Sequence, residues 1–300
     1  MDFKNLSVCI PAYNEAGVIG KTLRELREAI PEAEIIVVDD GSGDDTAAVA
    51  KSLPGIIVLS HNRNMGYGAA IKTAIRHASR GVVAWYDGDG QHSPTDLKKV
   101  AWPVLNGEKD VVIGVRDKSS DQVMVRMPGK LLLTAIAVLV AREPVPDLNS
   151  GLRCFRKEVI NKYLHLLPDG FSASTTTTLL MMKRGYLIGY QPISTQRRFG
   201  KSTVKIFRDG WRTLQLIMRI LILFEAFNFF TILAMLQVIP GTIYGVTKSF
   251  TQGLGFPTLA STVVISGVLT FFMGIICDQI VALRQEKFEN LSRDSLKKSE

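Results

Sequence analysis

Residues Val82–His92, VVAWYDGDGQH, put two carboxylates just past the end of an apolar run. Val82-Val83-Ala84-Trp85 combines two β-branched residues with an aromatic one, the make-up of a buried strand. It gives way to Asp87-Gly88-Asp89-Gly90. Two carboxylates separated by one residue repel each other, and a cation between them removes that cost. Hard divalent ions take carboxylate oxygens, and Mg²⁺ commonly uses one or two protein carboxylates while substrate phosphates complete its shell. Gly88 lets the backbone approach a ligand closely. An Asp-Gly hairpin turn is the competing reading of the same residues. Acids gathered at the neighbouring strand ends favour the cation.

Those neighbours follow from the order of elements. A β-rich run at Leu6–Ile10 leads into Pro11-Ala12-Tyr13-Asn14-Glu15, and a helix is expected from about Ala16 to Ala29, with Val18, Leu23, Leu26 and Ile30 on one face. A second strand, Ile35–Val38, ends in Asp39-Asp40-Gly41-Ser42. A short helix to about Ser52, strand Ile56–Leu59, helix Ala69–His77, the Asp87 strand, helix Thr95–Leu105 and strand Val111–Val115 follow. Strand and helix alternate, which predicts an α/β fold: a Rossmann-like, mostly parallel sheet covered on both faces. Ligands bind such sheets beyond the carboxyl ends of the strands. Tyr13, Glu15, Asp39, Asp40, Asp87 and Asp89 all fall there, which points to one composite site. Asp44 and Asp45 read as helix-start residues that accept orphan N–H groups. Gly66-Tyr67-Gly68 has the look of a dinucleotide fingerprint but lacks the third glycine and follows a loop, so that reading is rejected.

The chain has 300 residues, a net charge of +8 and 46% apolar residues, unevenly spread. The basic excess suits anionic headgroups or phosphorylated ligands, and no nucleic-acid partner is expected. Cys9, Cys154 and Cys277 have no metal-ligand spacing and read as buried thiols in a reducing compartment. The start, MDFKNLSVCIPAYNE, lacks an apolar stretch after a basic segment, so no signal peptide is expected and the catalytic part is placed in the cytosol.

Further along, the apolar decamer Leu131–Val140 is too short to span a bilayer and suits a buried or interfacial helix. Asp147-Leu148-Asn149-Ser150-Gly151-Leu152-Arg153 precedes a helical stretch from about Lys157. Ser172–Thr178 is rich in Ser and Thr ahead of an apolar helix, Leu179–Lys183. Gln196–Lys205 packs Arg197, Arg198, Lys201 and Lys205 around Gly200. A solvated loop is the plain reading; beside acidic metal ligands, a clamp for phosphate oxygens fits better. Two charge-free runs, Ala226–Val246 and Phe256–Ile276, close the chain. Each is about 31 Å long as helix, against a hydrocarbon core of about 30 Å. Arg208, Arg212 and Arg219 before them and Arg284 and Lys287 after them place both flanks on the cytosolic side.

Taken together, Pro11-Ala12-Tyr13-Asn14-Glu15, Val38-Asp39-Asp40-Gly41-Ser42, Asp87-Gly88-Asp89-Gly90-Gln91-His92, Asp147…Ser150-Gly151…Arg153 and Arg198-Phe199-Gly200-Lys201-Ser202 resemble, in order, the motifs of family 2 glycosyltransferases. The resemblance covers roughly residues 5–285 and is nearest to polyprenyl-phosphate glycosyltransferases of the dolichyl-phosphate mannose synthase-like branch, which end in a membrane hairpin. It implies a GT-A catalytic domain over residues 1–206, a juxtamembrane amphipathic helix at 207–225, a transmembrane hairpin at 226–283 and a cytosolic charged tail at 284–300. It also implies a nucleotide-sugar donor carrying uridine or guanosine, Mg²⁺ or Mn²⁺, inversion at the anomeric carbon, and an undecaprenyl or dolichyl phosphate acceptor at the plasma membrane. By position, Pro11, Tyr13, Glu15, Val38 and Asp40 would hold the nucleobase and ribose. Asp87 and Asp89 would hold the metal, with Gln91 beside it, and Arg116 matches a family arginine near the donor. The chain departs from related sequences at Ser202-Thr203, where Ser-Lys is common, so the cation could come from Lys201 or Lys205. Gln196-Arg197-Arg198-Phe199 also differs from the Q-x-x-R-W ending of processive synthases. Family members with such hairpins can assemble into homo-oligomers.

The chemistry expected of this set needs no strong base. A phosphate monoester has its second pKa near 6 and is already an anionic nucleophile at neutral pH. Arg116, the Arg197/Arg198 pair and Lys205 would screen the acceptor phosphate and the developing charge. Two readings compete: transfer to a diacylglycerol or ceramide hydroxyl, with Asp147 as the base, and a non-catalytic membrane protein that binds nucleotide sugars.

Overall fold

The computed structural model describes residues 2–116, 145–170, 172–194, 206–253 and 255–297. The chain divides into two compact units, Met1–Lys205 and Ile206–Glu300. The apolar decamer at Leu131–Val140 and the basic cluster of Arg197, Arg198, Lys201 and Lys205 lie outside the described residues.

In the first unit, strands β1 (Leu6–Ala12), β2 (Glu34–Asp39), β3 (Ile56–Ser60), β4 (Val82–Trp85), β5 (Val111–Arg116), β6 (Arg153–Arg156) and β7 (Ile188–Ile193) form one sheet in the order β3-β2-β1-β4-β6-β5-β7. Helices α1 (Ala16–Ala29), α2 (Thr46–Lys51), α3 (Tyr67–His77) and α4 (Pro94–Leu105) make the crossovers of the first half. All seven residues of β1 are buried, as expected of a central strand covered on both faces. The buried face of α1 is Ile19, Leu23 and Leu26, continued by Ile30; Val18 is only half-buried. Every pairing is parallel except those of β6, which runs against β4 and β5. This gives the mostly parallel sheet that the alternation predicts, of the GT-A kind that the resemblance implies, with β6 and β7 added to what the pattern showed.

Register decides what the sheet presents. Ala12 pairs with Asp39 and Asp39 with Ser60, while Cys9 pairs with Trp85. The parallel strands therefore finish along one edge and release Tyr13, Asp40, His61 and Asp87 there. Arg153 pairs with Trp85 from the opposite direction, so the residues just before β6 come back over the end of β4. The antiparallel strand thus carries Ser150 and Gly151 into the same edge.

Two helices follow β6: α5 (Lys157–Asn161) and α6 (Ala173–Lys183). The latter starts at Ala173, so the Ser/Thr run is part of the helix and not a lead-in to it. Ser174, Thr175, Thr176, Thr177 and Thr178 are all buried. The Thr177 and Thr178 hydroxyls donate to carbonyls four residues back and Thr175 donates to Asn149, which offsets the burial of those three.

The second unit is a helical hairpin. Helix α7 (Ile206–Gln252) is interrupted by non-helical backbone at Glu225, and α8 (Thr258–Lys297) returns. Phe224–Gln252 and Thr258–Leu283 are long and apolar enough to cross a membrane. Their outer surface shows Ile232, Leu236, Ile243 and Leu269, each about three-fifths exposed or more. Between the helices, a Cβ on Gly267 would come within 2.6 Å of Val238, and one on Gly274 within 2.5 Å of Phe230. Small residues at such crossings let backbones approach. Gln237 accepts from Ser266 at 2.9 Å and donates to Thr270 at 3.3 Å, a polar tie across the seam.

Candidate active site

The loop after β4 carries the paired acids. Asp87 and Asp89 are half-buried, and Gly90 between Asp89 and Gln91 has φ +72°, which turns the chain back. The Gln91 N–H donates to Asp89 Oδ1 at 3.1 Å, so Gln91 braces Asp89 through its backbone. A Cβ on Gly88 would sit 3.2 Å from the Pro11 carbonyl, which packs this loop against the end of β1.

Asp87 is enclosed more tightly. The Tyr67 hydroxyl donates to its Oδ1 at 2.9 Å, and the buried His92 Nε2 lies 3.5 Å from Oδ2. Burial pushes the Asp87 carboxyl up, but the hydrogen bond and charge of His92, the Tyr67 hydroxyl and the charge of Arg153 outweigh it, leaving the pKa below the usual aspartate range. Tyr67 itself is pushed well above the ordinary tyrosine value, first by burial and then by the Asp87 charge, so it remains a donor. Gly151 completes the enclosure: a Cβ there would come within 1.9 Å of Asp87 Oδ2. Only glycine lets the loop before β6 close on this carboxylate.

Carboxylates with one side walled by glycine fit a hard divalent ion, and the set is sparse. Among the described residues, no group of three or more His, Cys, Asp or Glu side chains gathers to hold a metal. Two acids alone leave most of an ion's shell to substrate oxygens, the usual way Mg²⁺ is bound.

The nucleotide side is braced differently. Pro11, Val38 and Asp40 are buried at the strand ends, whereas Tyr13 is about half exposed. Asn14, at φ +54°, accepts the Gly43 N–H at 2.8 Å, and the Glu15 N–H donates to Thr46 Oγ1. Asp44 accepts from the backbone of Thr46 and of Ala16, serving two helix starts at once. Asp40, which the resemblance assigns to the nucleobase or ribose, has its carboxylate engaged by the protein: the Met65 and Gly66 N–H groups donate at 2.9 and 2.7 Å, and His61 Nδ1 lies 2.7 Å away.

Arg116 and Asp147 come together as a forked pair. Arg116 Nε donates to Asp147 Oδ2 at 2.8 Å and a terminal nitrogen to Oδ1 at 2.9 Å. Burial raises the Asp147 pKa, but the Arg116 hydrogen bond and charge overcome this and hold it below the usual range. Behind this pair lies a motif residue to which the sequence reading gave no role. Arg153 is wholly buried, donates to the Ser150, Ser174 and Leu148 carbonyls and to Thr178, and stacks over Trp85 at 5.5 Å. Its burial lowers its pKa to about 10, so it stays charged at neutral pH. It bolts the loop before β6 to α6, and with that the position of Gly151 against Asp87.

Residues 7–164, more than half of the chain, match the model of glycosyl transferase family 2. The chain is a family 2 glycosyltransferase. Residues 227–283 of the glycosyltransferase match the GtrB C-terminal hairpin, and the two apolar helices mark it as a membrane protein. It is 31% identical over 216 residues to the UDP-N-acetylglucosamine–dolichyl-phosphate N-acetylglucosaminyltransferase of Methanococcus voltae, covering 64% of this chain and 86% of that one. It is 30% identical over 174 residues to the undecaprenyl-phosphate 4-deoxy-4-formamido-L-arabinose transferase of Sodalis glossinidius, covering 55% of this chain and 53% of that longer one. Both relatives are polyprenyl-phosphate glycosyltransferases. A solved fold neighbour is glucosyl-3-phosphoglycerate synthase from Mycobacterium tuberculosis, crystallised with Mn²⁺, UDP-glucose and phosphoglyceric acid; it has a TM-score of 0.59 and 21% identity, covering 72% of this chain and 78% of that one.

Proposed function

We propose that the glycosyltransferase moves a hexose from a uridine nucleotide-sugar to a polyprenyl phosphate at the cytosolic face of the cell membrane, inverting the anomeric centre. The observation that carries the choice of acceptor is the forked Arg116–Asp147 pair. A hydroxyl acceptor needs a base, and Asp147, the sequence candidate, is paired and held at a low pKa. A carboxylate so stabilised takes up a proton poorly. A phosphate acceptor needs none, because it is anionic already. The dolichyl- and undecaprenyl-phosphate relatives support this acceptor class, and the relative named for a UDP-sugar supports uridine.

Asp87 and Asp89 would hold Mg²⁺ or Mn²⁺, which supplies Lewis-acid neutralisation of a leaving nucleoside diphosphate. Gln91 would brace Asp89, and Gly88 would keep the loop close to β1. Pro11, Tyr13, Glu15 and Val38 would line the nucleoside side, with Asp40 shaping it through the 61–66 loop. Arg197, Arg198 and Lys205 would screen the acceptor phosphate. The catalytic domain would end near residue 206, the helix at 207–225 would lie along the membrane, and the hairpin at 226–283 would span it twice, leaving the 284–300 tail cytosolic. Held at the bilayer, the enzyme meets its lipid acceptor at raised effective concentration.

The test presents the detergent-solubilised full chain with labelled UDP-sugars and, in parallel, polyprenyl phosphate and diacylglycerol. Label entering an acid-labile polyprenyl phosphodiester alone is expected. Label entering diacylglycerol would overturn the acceptor assignment.

A further inference from the structure

The Gly66-Tyr67-Gly68 segment, which is no dinucleotide fingerprint, is built into the molecule from two sides. Gly66 has φ +105°, and a Cβ on it would come within 2.5 Å of the Asp169 carbonyl oxygen. A Cβ on Gly68 would come within 2.1 Å of the Pro168 carbonyl oxygen. The turn is therefore seated directly on the 168–169 backbone, and the Ala69 N–H donates to Asp169 at 3.1 Å. From the other side Asp40 accepts the Met65 and Gly66 N–H groups. Lys72, one turn into α3, adds an ion pair to Asp169 and a bond to the Leu167 carbonyl. A residue held between two such anchors has little freedom. Tyr67 occupies that place, and its hydroxyl donates to Asp87 Oδ1 at 2.9 Å across twenty residues of sequence.

We propose that Tyr67 is a positioning residue for the divalent cation, fixing the orientation of the Asp87 carboxylate so that it meets the ion without reorganising. This rests on the reading of Asp87 and Asp89 as cation ligands. The physical reason is that a carboxylate beside an acidic neighbour would otherwise turn away from it, and the ion would have to reverse that turn on binding. A donor on one oxygen, held by a rigid anchor, sets the rotamer beforehand. Groups that orient ligating carboxylates in this way commonly change metal affinity by about 10–100-fold when removed. Tyr67→Phe removes only the hydroxyl and leaves the ring packing in place.

The experiment titrates Mn²⁺ into the detergent-solubilised full chain with UDP present and reads free Mn²⁺ by electron paramagnetic resonance. Wild type, Y67F and D89N are compared, with UDP binding in EDTA and the melting temperature as controls. The expected result is a 10–100-fold weaker Mn²⁺ affinity in Y67F, with metal-free UDP binding and melting temperature unchanged, and kcat largely restored at saturating Mn²⁺. Wild-type Mn²⁺ affinity in Y67F, while D89N loses it, would overturn the role of Tyr67 and leave the cation site standing. Parallel loss of Mn²⁺ affinity, metal-free UDP binding and thermal stability would also overturn it, in favour of a packing role. Absence of UDP-linked Mn²⁺ uptake in the wild type would overturn the cation site first, and Tyr67 with it.

Discussion

The loop after β4 and the loop before β6 each bring an aspartate to the working edge of the sheet, and their oxygens are spent differently. Asp147 meets Nε and a terminal nitrogen of one guanidinium, a forked, charge-assisted pairing of the strong kind. Asp87 receives a phenol and the edge of an imidazole, and among the described residues no guanidinium forks onto it. Both pKa values fall below the usual range, so the titration direction alone does not separate them. What separates them is the kind of partner: a forked guanidinium on Asp147, and on Asp87 a phenol with the charges of His92 and Arg153 felt outside any fork. The first loop, with two acids separated by one residue and no such fork among the described residues, suits an incoming ion; the second, closed by its own forked pair, suits a frame. Gly151 is where the frame touches the site.

The sharpest break of this comparison is Asp89→Asn. Losing one of two acids should lower turnover about a thousandfold, the scale of several kcal/mol of lost charge stabilisation. Melting temperature should hold or rise, since a repulsion is relieved; a steady-state assay with a thermal melt checks both. Next is Gly151→Ala. The new methyl would drive into Asp87, and displacement near 1 Å can cost about a hundredfold in rate. Overpacking should also remove about 1–3 kcal/mol of stability, read by chemical denaturation. Asp147→Asn should cost only about tenfold in kcat/KM, because an orienting contact is lost while the cation site survives.

Acid sharpens the contrast least. Asp147 has a folded pKa below its unfolded value of about 3.9. Its pairing therefore stabilises fully above that unfolded value and is lost as pH falls through the folded one. Because Arg116 is more than a third exposed, screening limits the loss to about 1 kcal/mol. Melting curves between roughly pH 5 and 2.5 should fall more steeply in wild type than in Asp147→Asn.

Much of the sheet was legible because its strands are local runs: Val82–Trp85 and Glu34–Asp39 announce themselves by β-branched residues between glycines and acids. The cation pair was legible for the same reason, both acids lying within one turn. Strand β6 was not, since four residues, Arg-Cys-Phe-Arg, carry two charges and gain their place only by pairing with β4 seventy residues earlier. The α6 threonines read as a stretch ahead of the helix until Arg153 and Asn149 are seen to use their oxygens. Tyr67 and Asp40 show the same limit: their partners are brought together by the turn at residues 61–68, which no local pattern encodes. In the hairpin, hydropathy marks the spans, but the glycines that seat one helix on the other face partners across the turn.

The central claim is that the Asp87/Asp89 loop receives the ion and the Arg116/Asp147 loop does not. It is tested most directly by calorimetric titration of UDP into wild type, Asp89→Asn and Asp147→Asn, each with Mn²⁺ and with EDTA. The account predicts that Mn²⁺ tightens UDP binding at least about tenfold in wild type and in Asp147→Asn, and leaves Asp89→Asn unchanged. Mn²⁺-dependent binding that persists in Asp89→Asn and disappears in Asp147→Asn would contradict it.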